Sequence, residues 1–228
     1  MRRERKILLA DSMLAVAIAV LLLSRSMENF SIAVGKEGAL TMAEAKKVAL
    51  TFDDGPNPDY TEILLEGLEQ RDVKATFFLL GEEAEKYPEV VEQIHEKGHM
   101  IGVHSYEHVN LAGLSEAAAM EQVNKTNDII EKLTGERAEF IRPPYGCWKE
   151  GLDKKTSMIE VLWDIDPRDW ATTNAQAVAE RIITKVQEND IILLHDASKS
   201  SVEAALLVVD ALQKQGYVFV TVEDVVLE

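Results

Sequence analysis

Val48-Ala49-Leu50-Thr51-Phe52-Asp53-Asp54-Gly55-Pro56 is an apolar, β-prone run that stops abruptly at four turn-forming residues. The next stretch, Asp59 to Gln70, places Ile63, Leu64 and Leu68 at helical spacing. A strand therefore feeds a loop carrying two adjacent carboxylates, and the loop feeds a helix. The same unit recurs along the chain. Ala75–Leu80 reads as a strand, Pro88–Glu96 as a helix, and Met100–Val103 as a strand. Ser115 caps a helix running to about Leu133, which Gly135 ends. Phe140 and Ile141 begin another strand, and a short helix near Glu150–Lys155 leads to a strand at Ile159–Ile165. Asn174 caps a helix over Ala175–Glu188, Asp190–Leu194 is a strand, Ser201–Gln215 a helix ended by Gly216, and Tyr217–Val220 a last strand.

About seven strands alternating with helices predict an α/β fold built on a parallel sheet. Five short segments decide between an open sheet and a barrel: TFDDG at 51–55, HSYEH at 104–108, RPPY at 142–145, DPRDW at 166–170 and LLHD at 193–196. Each falls at or just past the carboxyl end of a strand. α/β barrels assemble their sites there from several loops, whereas a doubly wound sheet concentrates chemistry at one switch point. The expectation is a distorted (β/α) barrel.

Composition bounds the rest. The 228 residues, 46% of them apolar, suffice for one sizeable core, which we place at 46–228 as a single catalytic domain. Residues 1–45 read as a signal peptide or short membrane anchor plus linker: Arg2, Arg3, Arg5 and Lys6 precede the unbroken apolar run Met13–Leu23. An extracellular or cell-surface location is expected, with the membrane touched only through that segment. The formal charge is -16, and residues 41–228 hold 18 basic against 36 acidic side chains, so nucleic acid is not an expected partner. Cys147 is the single cysteine, which rules out an internal disulfide and reads best as a small packing residue.

His104, His108 and His195 are three of five histidines, and all lie inside the five segments. His104 and His108 with Asp54 form a two-histidine, one-carboxylate set. That set suits Zn²⁺ and other first-row metals and leaves positions open for water and substrate. An isolated HxxxH would more often be a surface pair, and Asp-Asp-Gly-Pro alone would more often be an ordinary turn. It is their company that favours a metal-dependent hydrolytic site. His95 and His99, on and after a helix, are expected to be solvated.

The five segments, in order and spacing, resemble the NodB-type polysaccharide deacetylases, family 4 of the carbohydrate esterases, over about residues 46–226. The resemblance implies Asp54, His104 and His108 as ligands of a divalent metal, zinc first and cobalt second. It implies Asp53 as general base, Arg142 as the partner holding it ionised, and the Tyr145 N–H as part of an oxyanion hole. His195 is implied as the acid that protonates the departing amine, with Asp169 as its charge partner. Trp170 and Leu193, with Tyr145, would wall the pocket for the acetyl group and its sugar.

The function expected on that basis is metal-dependent removal of N-acetyl groups from a cell-surface glycan, with peptidoglycan N-acetylglucosamine leading. Chitin oligosaccharide deacetylation and acetylxylan esterase activity use the same constellation. Two readings from other classes share features with it: a non-haem Fe(II) oxygenase, by its ligand set, and an inactive glycan-binding protein. The oligomeric state is not readable from the sequence.

Overall fold

The computed structural model describes residues 45–227. The expected export segment, apart from Ala45, lies outside the described residues. Strand β1 (Lys46–Asp53) is the centre of a seven-stranded sheet. On one side it pairs in parallel with β6 (Ile191–His195), and on the other with β2 (Thr76–Leu79) near its carboxyl end and β7 (Tyr217–Val220) near its amino end. Beyond β2 the order continues through β3 (Met100–Val103), β4 (Phe140–Ile141) and β5 (Ile159–Glu160), all parallel.

The sheet curls until the chain after β5 meets β6. Ile165 bridges to Ile192, with the Leu193 N–H donating to the Ile165 carbonyl at 2.9 Å. Closure therefore rests on the short stretch where Asp164 and Ile165 meet Ile191–Leu193, and the barrel is distorted there, as the sequence predicts.

Helices cover the outside: α1 (Thr61–Glu69), α2 (Gly81–Lys86), α3 (Pro88–Glu96), α4 (Glu116–Thr134), α5 (Ala175–Ile183), α6 (Lys199–Lys214) and α7 (Val222–Val226). The period-two alternation of β1 serves two cores. Val48, Leu50 and Phe52 face the helices in the main cluster, and Ala49 faces an inner cluster with Phe78, Phe140, Val161, Ile191 and Val222. Each fully buried leucine or phenylalanine stabilises the fold by about 1.5–3 kcal/mol. The interior is tight. A Cβ on Gly102 in β3 would lie 2.5 Å from the Phe78 ring, so only glycine fits opposite that side chain.

Three local expectations need correction. The strand expected over Ile159–Ile165 forms regular strand only at Ile159–Glu160, with a single isolated bridge at Ile165. The Val161 and Leu162 carbonyls instead accept hydrogen bonds from the Arg142 guanidinium, at 3.2 and 2.9 Å, which ends the regular pairing. The helix expected near Glu150–Lys155 is a single 3-10 turn, Leu152–Lys154, entered through Gly151 at φ 91°. The helix expected to reach Glu188 ends at Ile183, where the Thr184 hydroxyl donates to the Glu180 carbonyl at 2.7 Å. The caps at Ser115, Asn174 and Gly135 form as predicted, whereas α6 starts earlier, with Ser198 as its cap.

Candidate active site

All five segments converge on one mouth of the barrel, around a cleft of about 1160 Å³. Strand ends explain the convergence. Asp53 is the last residue of β1 and His195 the last of β6, while His104 and Arg142 directly follow β3 and β4. Four of the loops turn through left-handed backbone at Asp54 (φ 72°), at Ser105 and His108 (φ 65° and 55°), at Tyr145 (φ 63°) and at Arg168 (φ 55°). Such conformations cost of order 1–3 kcal/mol each and persist where the surroundings hold them. Helix α2, which sequence reasoning missed, supplies part of that hold. Its Gly81 and Glu82 N–H groups donate to the Ser105 and Tyr106 carbonyls at 3.1 and 3.0 Å, fixing the loop between the two histidines.

Asp54, His104 and His108 come together as the sequence predicts: their ligand atoms lie within 4.8 Å of one another. The His104 Nδ1 sits 2.7 Å from the Arg142 carbonyl, which can only accept. Nδ1 therefore carries the proton, and Nε2 turns its lone pair toward the cluster. Asp54 Oδ1 lies 3.4 Å from His104 Nε2 and 3.3 Å from His108 Nε2, yet this buried oxygen has no hydrogen-bond partner among the described residues. Acceptors aimed at one another without a proton between them are what a divalent cation satisfies, so the residues present fit such an ion. Burial pushes the Asp54 carboxyl up, but the neighbouring imidazoles, His104 first and then His108 and His195, outweigh it and hold it below the usual carboxylate range. Burial likewise leads in lowering the His108 imidazole, which favours the neutral, ligating form.

Asp53 does not join that cluster. Its Oδ1 accepts from Arg142 Nη1 at 2.8 Å, and both side chains are buried, the arginine completely. One oxygen is thus fixed and the other, Oδ2, is left toward the cleft. Thr51, two residues earlier on the same face of β1, completes the brace. Its hydroxyl accepts from Arg142 Nη1 and donates to the Ile192 carbonyl, both at 2.7 Å. Sequence reasoning gave Thr51 no role, although its i−2 spacing from Asp53 carried the signal. The guanidinium also lies over the Phe78 ring at 4.3 Å, so Arg142 ties β1, β4, the inner core and the segment after β5 together.

His195 Nδ1 is 2.8 Å from Asp169 Oδ1, and the His195 N–H donates to Asp169 Oδ2 at 2.9 Å. Burial disfavours the charged imidazole, but the hydrogen bond and charge of Asp169, with the charges of Asp53 and Asp54, raise it to about 9. Its Nε2 faces the cluster, 3.9 Å from Asp54 Oδ2.

Trp170 and Leu193 line the cleft beside His195, Leu193 nearly buried and Trp170 67% exposed. Tyr145, 65% exposed, stands edge-on to His108. Trp163 and Asp166 also line the cleft. Trp163 went unnoticed in the sequence, and Asp166 holds its own turn by accepting the Arg168 N–H at 2.7 Å. Cys147 is half-buried, with Sγ 3.5 Å from the Tyr145 carbonyl. His99, expected in solvent, is instead buried. Its Nδ1 accepts the Ala75 N–H at 3.1 Å, its ring meets Phe77 edge-on, and burial, with Lys74 and Lys97 nearby, lowers it to about 4. It belongs to the packing of β2 and β3, away from the cleft.

Fold and site together define the class: a parallel α/β barrel with a cation-ligand cluster, a buried Arg–Asp pair and an Asp–His pair at its carboxyl mouth. The chain belongs to the polysaccharide deacetylase family, whose sequence profile matches residues 41–161. It is 41% identical over 177 residues to the peptidoglycan-N-acetylmuramic acid deacetylase PdaC of Bacillus subtilis, covering 78% of this chain and 38% of that protein. It is 40% identical over 182 residues to a peptidoglycan-N-acetylglucosamine deacetylase of Bacillus cereus, covering 77% of this chain and 66% of the relative. The solved structure of PdaC superposes with a TM-score of 0.78 at 39% identity, over 80% of this chain and 91% of that one. The chain thus spans less than two thirds of the length of these curated relatives.

Proposed function

We propose that this chain is a metal-dependent de-N-acetylase acting on the amino sugars of peptidoglycan. The observation that carries the reading is the partition of adjacent carboxylates: Asp54 faces the two histidines while Asp53 is held by Arg142. Asp54, His104 and His108 would hold the divalent cation, zinc first and cobalt second. When bound, it supplies Lewis acidity toward the acyl oxygen and makes water at the site more acidic.

The chain's own residues supply the proton transfers. Asp53, its Oδ1 occupied by Arg142, uses Oδ2 to take a proton from the attacking water as the new C–O bond forms. Pro143 and Pro144 have no N–H, so Tyr145 is the first residue of its turn able to present a backbone donor to the developing oxyanion. His195, kept protonated by Asp169, delivers a proton to the sugar nitrogen as the C–N bond breaks. Acetate and a free amine leave, and one water is consumed. Trp170 and Leu193 exclude water around the acetyl methyl.

The names and coverage of the relatives support peptidoglycan as substrate. N-acetylglucosamine leads, and N-acetylmuramic acid is the second reading because the 41% identical relative carries that name. Export through the N-terminal segment, at the cell surface, is part of the proposal. Mass spectrometry of muropeptides after incubation with the protein tests the substrate. Loss of one acetyl group from the glucosamine residue supports the leading assignment, loss from muramic acid the second, and intact muropeptides contradict both.

A further inference from the structure

The loop that carries Asp53 and Asp54 rests on a carboxyl that the proposed chemistry leaves unused. Asp196, next after His195, is completely buried. Its Oδ2 accepts a hydrogen bond from the Thr61 hydroxyl in the first turn of α1, and that hydroxyl in turn accepts the Asn57 N–H at 2.7 Å. Its Oδ1 has no hydrogen-bond partner among the described residues. Gly55 presses against the same group from the other side. A Cβ there would lie 2.6 and 2.8 Å from the two carboxyl oxygens. The φ of Gly55 is not positive, so glycine is required for this contact and not for backbone freedom.

One side chain thus touches the residue after Asp54 and the start of α1, while its own backbone continues from His195. We propose that Asp196 is a positioning residue, a strut of fixed length that sets the standoff between the end of β6 and the β1–α1 loop, and with it the distance from His195 to the Asp53–Asp54 pair. The inference rests on the roles proposed above for those residues. A shorter side chain lets the loop sink toward β6, drawing Asp54 Oδ1 away from the two histidines. Misplacement of reacting groups by about 1 Å can cost on the order of 100-fold in rate.

The test uses the full chain, stripped of metal. Co²⁺ affinity is measured by titration, and kcat and KM for acetate release by steady-state assay. Asp196→Ala is expected to weaken Co²⁺ binding and lower kcat, each by about tenfold or more, with KM within about threefold. Asp196→Asn, which keeps the volume and the acceptor for Thr61, is expected to stay within about threefold of the parent in all three. Gly55→Ala should lose Co²⁺ affinity by pushing from the opposite side, and adding Asp196→Ala to it should restore part of the loss. Should Asp196→Ala not fold, Thr61→Val removes the tether and is expected to weaken Co²⁺ binding.

A folded Asp196→Ala protein with parental affinity and kcat overturns the inference. So does an Asn variant as impaired as the Ala variant, because the acid itself would then be required and not its shape. Asp53→Asn and His104→Ala, run in parallel, judge the underlying roles separately. Near-full turnover in Asp53→Asn sinks the assigned base, and retained Co²⁺ in His104→Ala sinks the ligand set, whatever Asp196 does.

Discussion

Asp53 and His195 stand directly opposite each other in the parallel register of β1 and β6. Neighbouring strands lie about 4.8 Å apart, so the side chains assigned to base and acid leave the barrel side by side. Each then meets a different partner: Asp53 turns to Arg142 and His195 to Asp169. The Arg142 contact orients the Asp53 carboxyl, while the hydrogen bond and charge of Asp169 favour the protonated form of His195.

Replacing Asp53 by Asn keeps the size of the side chain and removes its basicity. Turnover is expected to fall by about 10²–10⁴-fold while bound metal, read by elemental analysis, stays at the parental level. His104→Ala should lose both.

If His195 is the acid proposed above, the alkaline limb of kcat is expected to report its proton. Held at about 9, the imidazole is charged through neutral pH, and activity declines as pH rises through that value. In Asp169→Asn the negative charge that raises it is gone and the remaining hydrogen bond is a weaker, neutral one, so the decline should begin at lower pH, by a unit or more. A pH–rate profile with an unmoved alkaline limb contradicts the assignment.

Arg142 is buried against Asp53 with nothing to replace its donors. Arg142→Met should destabilise the fold by about 3–5 kcal/mol, because it strands a buried carboxylate and leaves the Val161 and Leu162 carbonyls unpaired. Denaturant unfolding checks this, and a loss below about 1 kcal/mol would show that the barrel does not depend on the guanidinium.

Burial pushes the Asp196 carboxyl up to about 7, against the lowering effect of the Thr61 hydrogen bond. The folded protein therefore keeps this proton where the unfolded chain, with a value near 3.8, has released it. The resulting cost is absent below about pH 4, grows as pH rises and is complete above about 7, reaching on the order of 4 kcal/mol at most. Asp196→Asn removes it, so the variant should gain stability relative to the parent between pH 4 and 8. A constant difference in unfolding free energy across that range would mean that the carboxyl is ionised throughout.

The sequence made the strand ends and the five segments readable because buried parallel strands are short apolar runs and the chemistry sits where they stop. What it hid were interactions between distant residues. Nothing local in Ile159–Ile165 announces that Arg142 will divert two of its carbonyls. Helix α2 begins at a glycine whose Cβ would clash with Tyr106, a packing demand that reads in sequence as a helix breaker. His99 reads as solvated because it follows a helix, yet its partner is the Ala75 N–H at the start of the neighbouring strand. Thr51 and Asp196 carried no assigned role in the sequence. Only the fold shows Thr51 bonded to Arg142 beside Asp53 and Asp196 packed against Gly55.

Acetate release from peptidoglycan by protein stripped of divalent metal, and then reloaded with Zn²⁺ or Co²⁺, tests the central claim most directly. The account predicts no release from the stripped protein and restored release on reloading. Release that persists without metal, or no release from a reloaded and folded protein, would contradict it.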